Sequence, residues 1–176
     1  MDDDQQIWHS GNDLLKALLV GLPADALLSL TPLLNRYSQT KEALAAGVAG
    51  VDAASVCREC KGQCCQNGKY RINVLDTLAC VAAHFPLSAD FTQKPVCPYG
   101  SDAGCSLQPG LRPADCVLFV CDAIDRRLAP QMHVILAELE QQLRECIHDA
   151  SYLTGEPMGT PLLLWAANKN KSNSVV

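Results

Sequence analysis

The sequence predicts a mostly α fold: a small helical domain around a cysteine-rich, loop-rich region. Three observations predict it. Apolar residues recur at helical three- and four-residue steps before and after the middle of the chain. The middle itself is broken by Pro86, Pro95, Pro98, Pro109 and Pro113. Eight of the ten cysteines fall in that stretch and just ahead of and behind it. At 176 residues the chain is long enough to bury a core as one domain. The expected division is an N-terminal helical segment (1–54), a cysteine-cluster region (55–122) and a C-terminal helix and tail (123–176).

Residues 12–20 (NDLLKALLV) read as a first helix, with Leu14, Leu15, Leu18 and Leu19 on one side. Gly21 and then Pro23 stop it, because glycine takes the left-handed turn and proline cannot continue. Pro23 opens a second helix, whose apolar members are Leu27, Leu28, Leu30, Leu34 and Tyr37. An alanine-rich segment from about Lys41 to Ala54 then leads to Cys57. Beyond the cysteine block, 74–85 predicts a short helix with Leu75, Leu78, Ala82 and Phe85 on its buried face, leaving Asp76, Cys80 and His84 on the opposite, outer one. The stretch 86–116 reads as loop. A long helix over 131–153 carries a continuous stripe of Met132, Leu136, Leu139, Leu143, Cys146, Ala150 and Leu153. The polar tail from Asn168 is expected to fray, and no run of strands stands out.

Composition removes several classes of function. A net charge of -5 gives no support to nucleic-acid binding. The most apolar stretch, 14–34, contains Lys16, Pro23, Asp25 and Pro32. One charge at the centre of a spanning helix costs about 2.5–3.5 kcal/mol, so no membrane span is expected. The opening MDDDQQ has the wrong sign for a signal peptide. The expected compartment is therefore the cytoplasm, where thiols stay reduced and clustered cysteines point to metal or redox chemistry rather than to disulfides.

The block CRECKGQCC supplies Cys57, Cys60, Cys64 and Cys65, and later loops supply Cys97, Cys105, Cys116 and Cys121. These eight are the candidate metal ligands, since glycine- and proline-rich loops let several sulfurs turn towards one centre. Arg58, Lys61, Lys69 and Arg71 against Glu59 make the first block locally basic, which favours thiolate, the form that binds metal. Cys80 and Cys146 sit inside helices. Cys146 lies on the apolar stripe and reads as packing. Cys80 and His84 stand four residues apart and could chelate, although an outer polar face explains them equally well. His9, His133 and His148 show no partner pattern and read as surface groups.

CRECKGQCC, then CPYGSDAGC, then LRPADCVLFVC resembles the YkgJ-type cysteine-cluster family, described as a zinc- or iron-chelating domain. The resemblance runs from Ser55 to Asp122, includes all eight loop cysteines, and adds Arg112, Pro113 and Phe119 of the last motif. It implies metal chelation and no particular reaction. The residues leave the metal open. A single CxxC is present where structural zinc sites usually pair two, whereas the Cys57–Cys60–Cys64 trio plus one remote cysteine suits an iron–sulfur cluster. The spacing leans towards iron–sulfur over Zn2+.

Three functions compete on these grounds. One is a metal-binding protein whose iron–sulfur cluster or zinc serves electron transfer or a redox-linked modification. A second is a zinc-stapled structural or protein-interaction module without catalysis, in which metal supplies folding energy. A third, weaker, is thiol–disulfide exchange at Cys57–Cys60 or Cys64–Cys65. No phosphate loop, Ser-His-Asp pattern or HExxH occurs, so catalytic residues, substrate and any protein partner stay unassigned.

Overall fold

The computed structural model describes residues 3–60, 63–66, 68–93, 97–101 and 104–173; Lys61 and Gly62 of the first cysteine block lie outside the described residues. The fold is mostly helical. Its elements are α1 (Asp3–Gly21), α2 (Ala24–Ala49), α3 (Ala53–Glu59), α4 (Val74–Ala82), α5 (Ala114–Leu118), α6 (Asp122–Asp125), α7 (Pro130–Thr154) and α8 (Leu162–Asn173). A two-residue antiparallel hairpin, β1 (Gly100–Ser101) and β2 (Gly104–Cys105), pairs Gly100 with Cys105. No helix among the described residues is long and apolar enough to cross a membrane.

Two helix pairs frame the molecule. α2 packs along α7, and α1 packs along α8. α4 lies between them, touching α1, α2 and α8. The stripe of α7 meets α2 as its periodicity predicts, with Leu143, Cys146 and Ala150 fully buried. α7 begins at Pro130, where a missing N–H costs nothing, and ends at Gly155 in the left-handed conformation (φ 69°).

α4 departs from the amphipathic helix that its sequence suggested. Every residue from Val74 to Cys80 is buried, including Asp76 and Cys80, while Ala82 and His84 are exposed. Asp76 and Cys80, two of the three residues expected to meet solvent, are therefore inside, while His84 is outside as expected. The buried polar groups survive there because they are bonded. Asn73 caps the helix by accepting the Asp76 N–H at 2.7 Å, and Asp76 Oδ2 returns the contact to the Asn73 N–H at 3.1 Å. The next free N–H groups, on Val74 and Leu75, donate to the carbonyls of Thr160 and Met158 at 3.0 Å each. A loop that follows α7 thus completes the start of α4.

The Asp76 carboxylate is also the point where the helices meet the cysteine region. Lys41 Nζ donates to Asp76 Oδ1 at 2.8 Å, both side chains being wholly buried. The Tyr37 hydroxyl donates to the same oxygen at 3.0 Å, and the Ala114 N–H to both oxygens at 3.2 Å. Lys41 Nζ donates further to the Arg112 carbonyl at 2.8 Å. Four groups, the Tyr37 hydroxyl, the Asn73 and Ala114 N–H groups and the Arg112 carbonyl, so satisfy one buried ion pair. Among the described residues no buried side-chain nitrogen or oxygen lacks a partner.

Other boundaries also differ. α1 begins at Asp3, nine residues ahead of the expected start, because Trp8 and Gly11 extend its buried side. α2 runs unbroken to Ala49, absorbing most of the alanine-rich segment. Within it Leu28 is exposed and Leu33 buried. The tail from Asn168 is helical as far as Asn173, the end of α8. Lys169 Nζ there donates to Glu156 at 2.6 Å and Ser10 to Asn170 at 3.0 Å.

The buried pair gives a stability test. Asp76→Asn leaves the Lys41 ammonium without its counter-charge and should cost about 3–5 kcal/mol in urea unfolding. Removing the exposed Arg144–Glu140 pair by Arg144→Ala should cost at most about 1 kcal/mol. Equal losses for the two variants would show that the buried pair anchors nothing.

Candidate metal centre

The cysteine region is built from short pieces, and each has a local reason for its shape. Asp52 takes the left-handed conformation (φ 55°) between α2 and α3, which swings the last turn of α3 round to carry Cys57 and Cys60. The Cys60 thiol donates back to the Cys57 carbonyl at 3.3 Å. Cys64 and Cys65 follow in a tight 3-10 turn, 63–65. The Gly100 N–H donates to the Cys97 carbonyl at 2.8 Å, and Gly100 faces Cys105 across the hairpin, so these two cysteines come together. Cys116 lies in α5, and Cys121 caps α6.

Gly68 lets two of these pieces touch. A Cβ at that position would lie 2.7 Å from Cys97 Cβ and 3.0 Å from its sulfur. The backbone three residues after Cys65 is thereby laid directly against Cys97. α1 closes the same side: Trp8 Nε1 donates to the Tyr99 hydroxyl at 2.9 Å, and Lys69 pairs with Asp4 at 2.6 Å.

All ten cysteines are free thiols. The eight loop cysteines range from exposed (Cys57, Cys105) through half-buried (Cys60, Cys64, Cys65, Cys116, Cys121) to buried (Cys97). They fall into two neighbourhoods. The Cys57 thiol is pushed up by burial and then by Cys64, Cys60 and Cys121, with Arg112 opposing. Cys65 is pushed up to about 12 by burial and by its neighbours Cys64, Cys97 and Cys105. Burial raises Cys97 and Cys116 too; Cys105 adds to both, while Arg71 opposes in each case. Arg71 also stacks over the half-exposed ring of Phe119, 5.6 Å from its centroid.

As placed, no three His, Cys, Asp or Glu side chains among the described residues converge to metal-bonding distance. The sulfurs stand as neighbours, not as a formed coordination sphere. The donor set nevertheless fits zinc or an iron–sulfur cluster: sulfur only, carried on short irregular segments, with a guanidinium beside each group. Iron or zinc bound there would be held by thiolates alone.

The two helical cysteines are apart from this region. Cys146 is fully buried between α2 and α7 and accepts a hydrogen bond from Arg36 Nε at 3.2 Å. Cys80 is fully buried and pushed up to about 12 by burial, with Lys41 and Asp76 as its charged neighbours. His84 lies past the end of α4, exposed and left-handed (φ 52°), so the Cys80–His84 chelate is not assembled. His9, His133 and His148 are exposed; His133 contacts Asp125 and His148 contacts Asp149. Sequence reasoning missed Lys41. Its signal is periodic: Leu30, Leu34, Tyr37, Lys41 and Leu44 follow steps of four and three, which puts a lysine on a core stripe.

No family model matches the chain, and neither a curated protein nor a solved structure matches it.

Two outcomes follow from this geometry. A thiol whose folded pKa is raised stabilises the fold fully below its ordinary value of 9.0 and loses that contribution as pH climbs to its folded value, about 12 for Cys80. The Tyr37 hydroxyl, raised by burial, acts in the same direction. Thermal unfolding should therefore show stability falling with alkalinity above pH 9.0, less steeply in Cys80→Ala. A decline equally steep in that variant would remove Cys80 from the cause. Separately, Gly68→Ala should destabilise by forcing Cys97 away, whereas Gly21→Ala, which meets open space, should be neutral or slightly stabilising in the same assay.

Proposed function

We propose that this chain is a metal-binding protein in which Cys57, Cys60, Cys64, Cys65, Cys97, Cys105, Cys116 and Cys121 hold an iron–sulfur cluster or zinc, in service of electron transfer or a redox-linked modification. The observation that carries the reading is the crowding of eight free thiols in one region while Cys80 and Cys146 are packed into the helical core. A hydrophobic role explains a cysteine at a fully buried helical position. It does not explain eight on short helices, turns and loops, most of them open to solvent. The resemblance of the three motifs to the YkgJ-type family supports the same reading.

A second reading, a zinc-stapled structural or interaction module, has one observation in its favour. Between α4 and α5 the chain has a two-residue hairpin and single 3-10 turns as its regular structure among the described residues. A segment so poor in backbone pairing gains most from metal-derived folding energy.

Anaerobic purification separates the two. An iron–sulfur protein should be brown, absorbing broadly near ~400 nm, with iron and sulfide in similar amounts. A colourless protein with stoichiometric zinc would transfer the case to the interaction module, since zinc has no redox couple. A protein that takes up neither would sink both. Cys60→Ser and Cys116→Ser should lose metal, while Cys146→Ala should retain the full amount.

A further inference from the structure

We infer that the eight cysteines make two separate four-sulfur sites that meet at the Cys64–Cys65 peptide: Cys57, Cys60, Cys64 and Cys121 in one, and Cys65, Cys97, Cys105 and Cys116 in the other. The inference rests on the metal-binding reading above and divides its ligands.

The first site follows from a helix contact. Cys57 and Cys60 stand three residues apart on α3, so their side chains leave the same side. α3 packs against α6, and the residue that opens α6 is Cys121. Cys57 therefore has Cys60, Cys64 and Cys121 as its sulfur neighbours and Arg112 as its cation. Three close cysteines and one remote one are the arrangement the spacing called for, and α6 supplies the remote member.

The second site follows from the hairpin and Gly68. The hairpin turn sets Cys105 beside Cys97, and the bare Gly68 lets the Cys65 segment lie on Cys97. Cys65 and Cys116 then share Cys97 and Cys105 as neighbours, with Arg71 as the cation beside Cys97 and Cys116; the Cys65 thiol also hydrogen-bonds Cys64, the contact through which the two sets meet. The strongest sulfur neighbours of Cys57, namely Cys64, Cys60 and Cys121, all belong to the first set, and those of Cys116, namely Cys97 and Cys105, to the second.

The CC dipeptide is where the two sets separate. In a 3-10 turn of three residues per turn, successive side chains leave about 120° apart. Cys64 and Cys65 occupy such a turn, so one can face the α3–α6 side while the next faces the hairpin. Adjacent cysteines are thus explained as one ligand for each of two centres.

The sites differ in cover. The second is walled by α1 through the Trp8–Tyr99 and Asp4–Lys69 contacts and includes the buried Cys97. The first is framed by the two short helices α3 and α6, and all its thiols reach solvent. It should release its metal to a chelator first.

The test uses the full chain, stripped of metal under reducing conditions and titrated with Zn2+ alone. Wild type should take up about two equivalents, one per tetrathiolate site. Cys57→Ser and Cys121→Ser should each take up about one, and so should their double variant. Cys97→Ser and Cys116→Ser should also each take up one, but Cys57→Ser/Cys97→Ser should take up none. Retained helical circular dichroism checks that each variant is folded. For a variant that is not, release from wild type to a chelator replaces it, and two well-separated phases of equal amplitude are expected. One equivalent in wild type, a single release phase, or full loss from Cys121→Ser alone in a folded protein would overturn the partition and leave metal binding intact. No uptake by wild type would overturn both.

Discussion

A lysine ammonium and an aspartate carboxylate, both shut away from water, hold this fold at its centre. Removing two charges from solvent is costly, and their attraction offsets that cost only when the remaining hydrogen-bonding capacity is filled. Here Asp76 accepts from Lys41, Tyr37, Asn73 and Ala114, and Lys41 reaches on to the Arg112 carbonyl. The geometric consequence exceeds the energetic one. An apolar residue at position 41 or 76 could fill the same space, but it could not specify where the 112–114 backbone docks. That backbone leads directly into Cys116 and carries Arg112, the cation beside Cys57. The ion pair thus sets the position of loop segments that have little regular structure of their own.

Packing separates the cysteines of the helical core from those of the short segments. Cys80 and Cys146 sit in a close-packed interior, where a metal has no approach. Seven of the other eight cysteines keep at least partial access, and Cys57, Cys97 and Cys116 have guanidinium neighbours. In an acidic chain, placing Arg71 and Arg112 beside grouped sulfurs offsets the repulsion that accumulates as thiols become thiolates. Raised thiols such as Cys65 also mean that metal uptake must displace protons, so affinity should increase with pH.

Much of the architecture was legible because long helices write their periodicity plainly. The α7 stripe and the position of the Gly21–Pro23 break could be read directly, although Gly21 is not left-handed; the expected loop set of cysteines was not, because Cys57 lies in α3 and Cys116 in α5. The misreadings have one physical origin. Periodicity reports how apolar a face is, and burial of a polar residue depends on partners far away in sequence. Asp76 looked like a solvent-facing residue because Lys41 lies 35 positions earlier and Ala114 lies 38 positions later. α8 was overlooked because its polar second half, from Asn168 on, resembles a frayed tail. Glu156 and Ser10 are what hold that half in place. The grouping of the eight cysteines was equally hidden. Spacing suggests the Cys57–Cys60–Cys64 trio, but the α3–α6 contact and the Gly68 cradle are tertiary facts.

Those tertiary facts bear on why the helices are there at all. A loop with several thiols can bind metal by itself, but it pays conformational entropy to do so. Helices that bring the segments into contact beforehand reduce that cost, which is the general advantage of preorganisation. α2 and α4 fix the approach to Cys116 through the buried pair, and α1 fixes the hairpin through Tyr99. α3 and α6 bring Cys121 to the first cysteine block. Helices α1, α2 and α4, which carry none of the eight cysteines, thus hold segments that do.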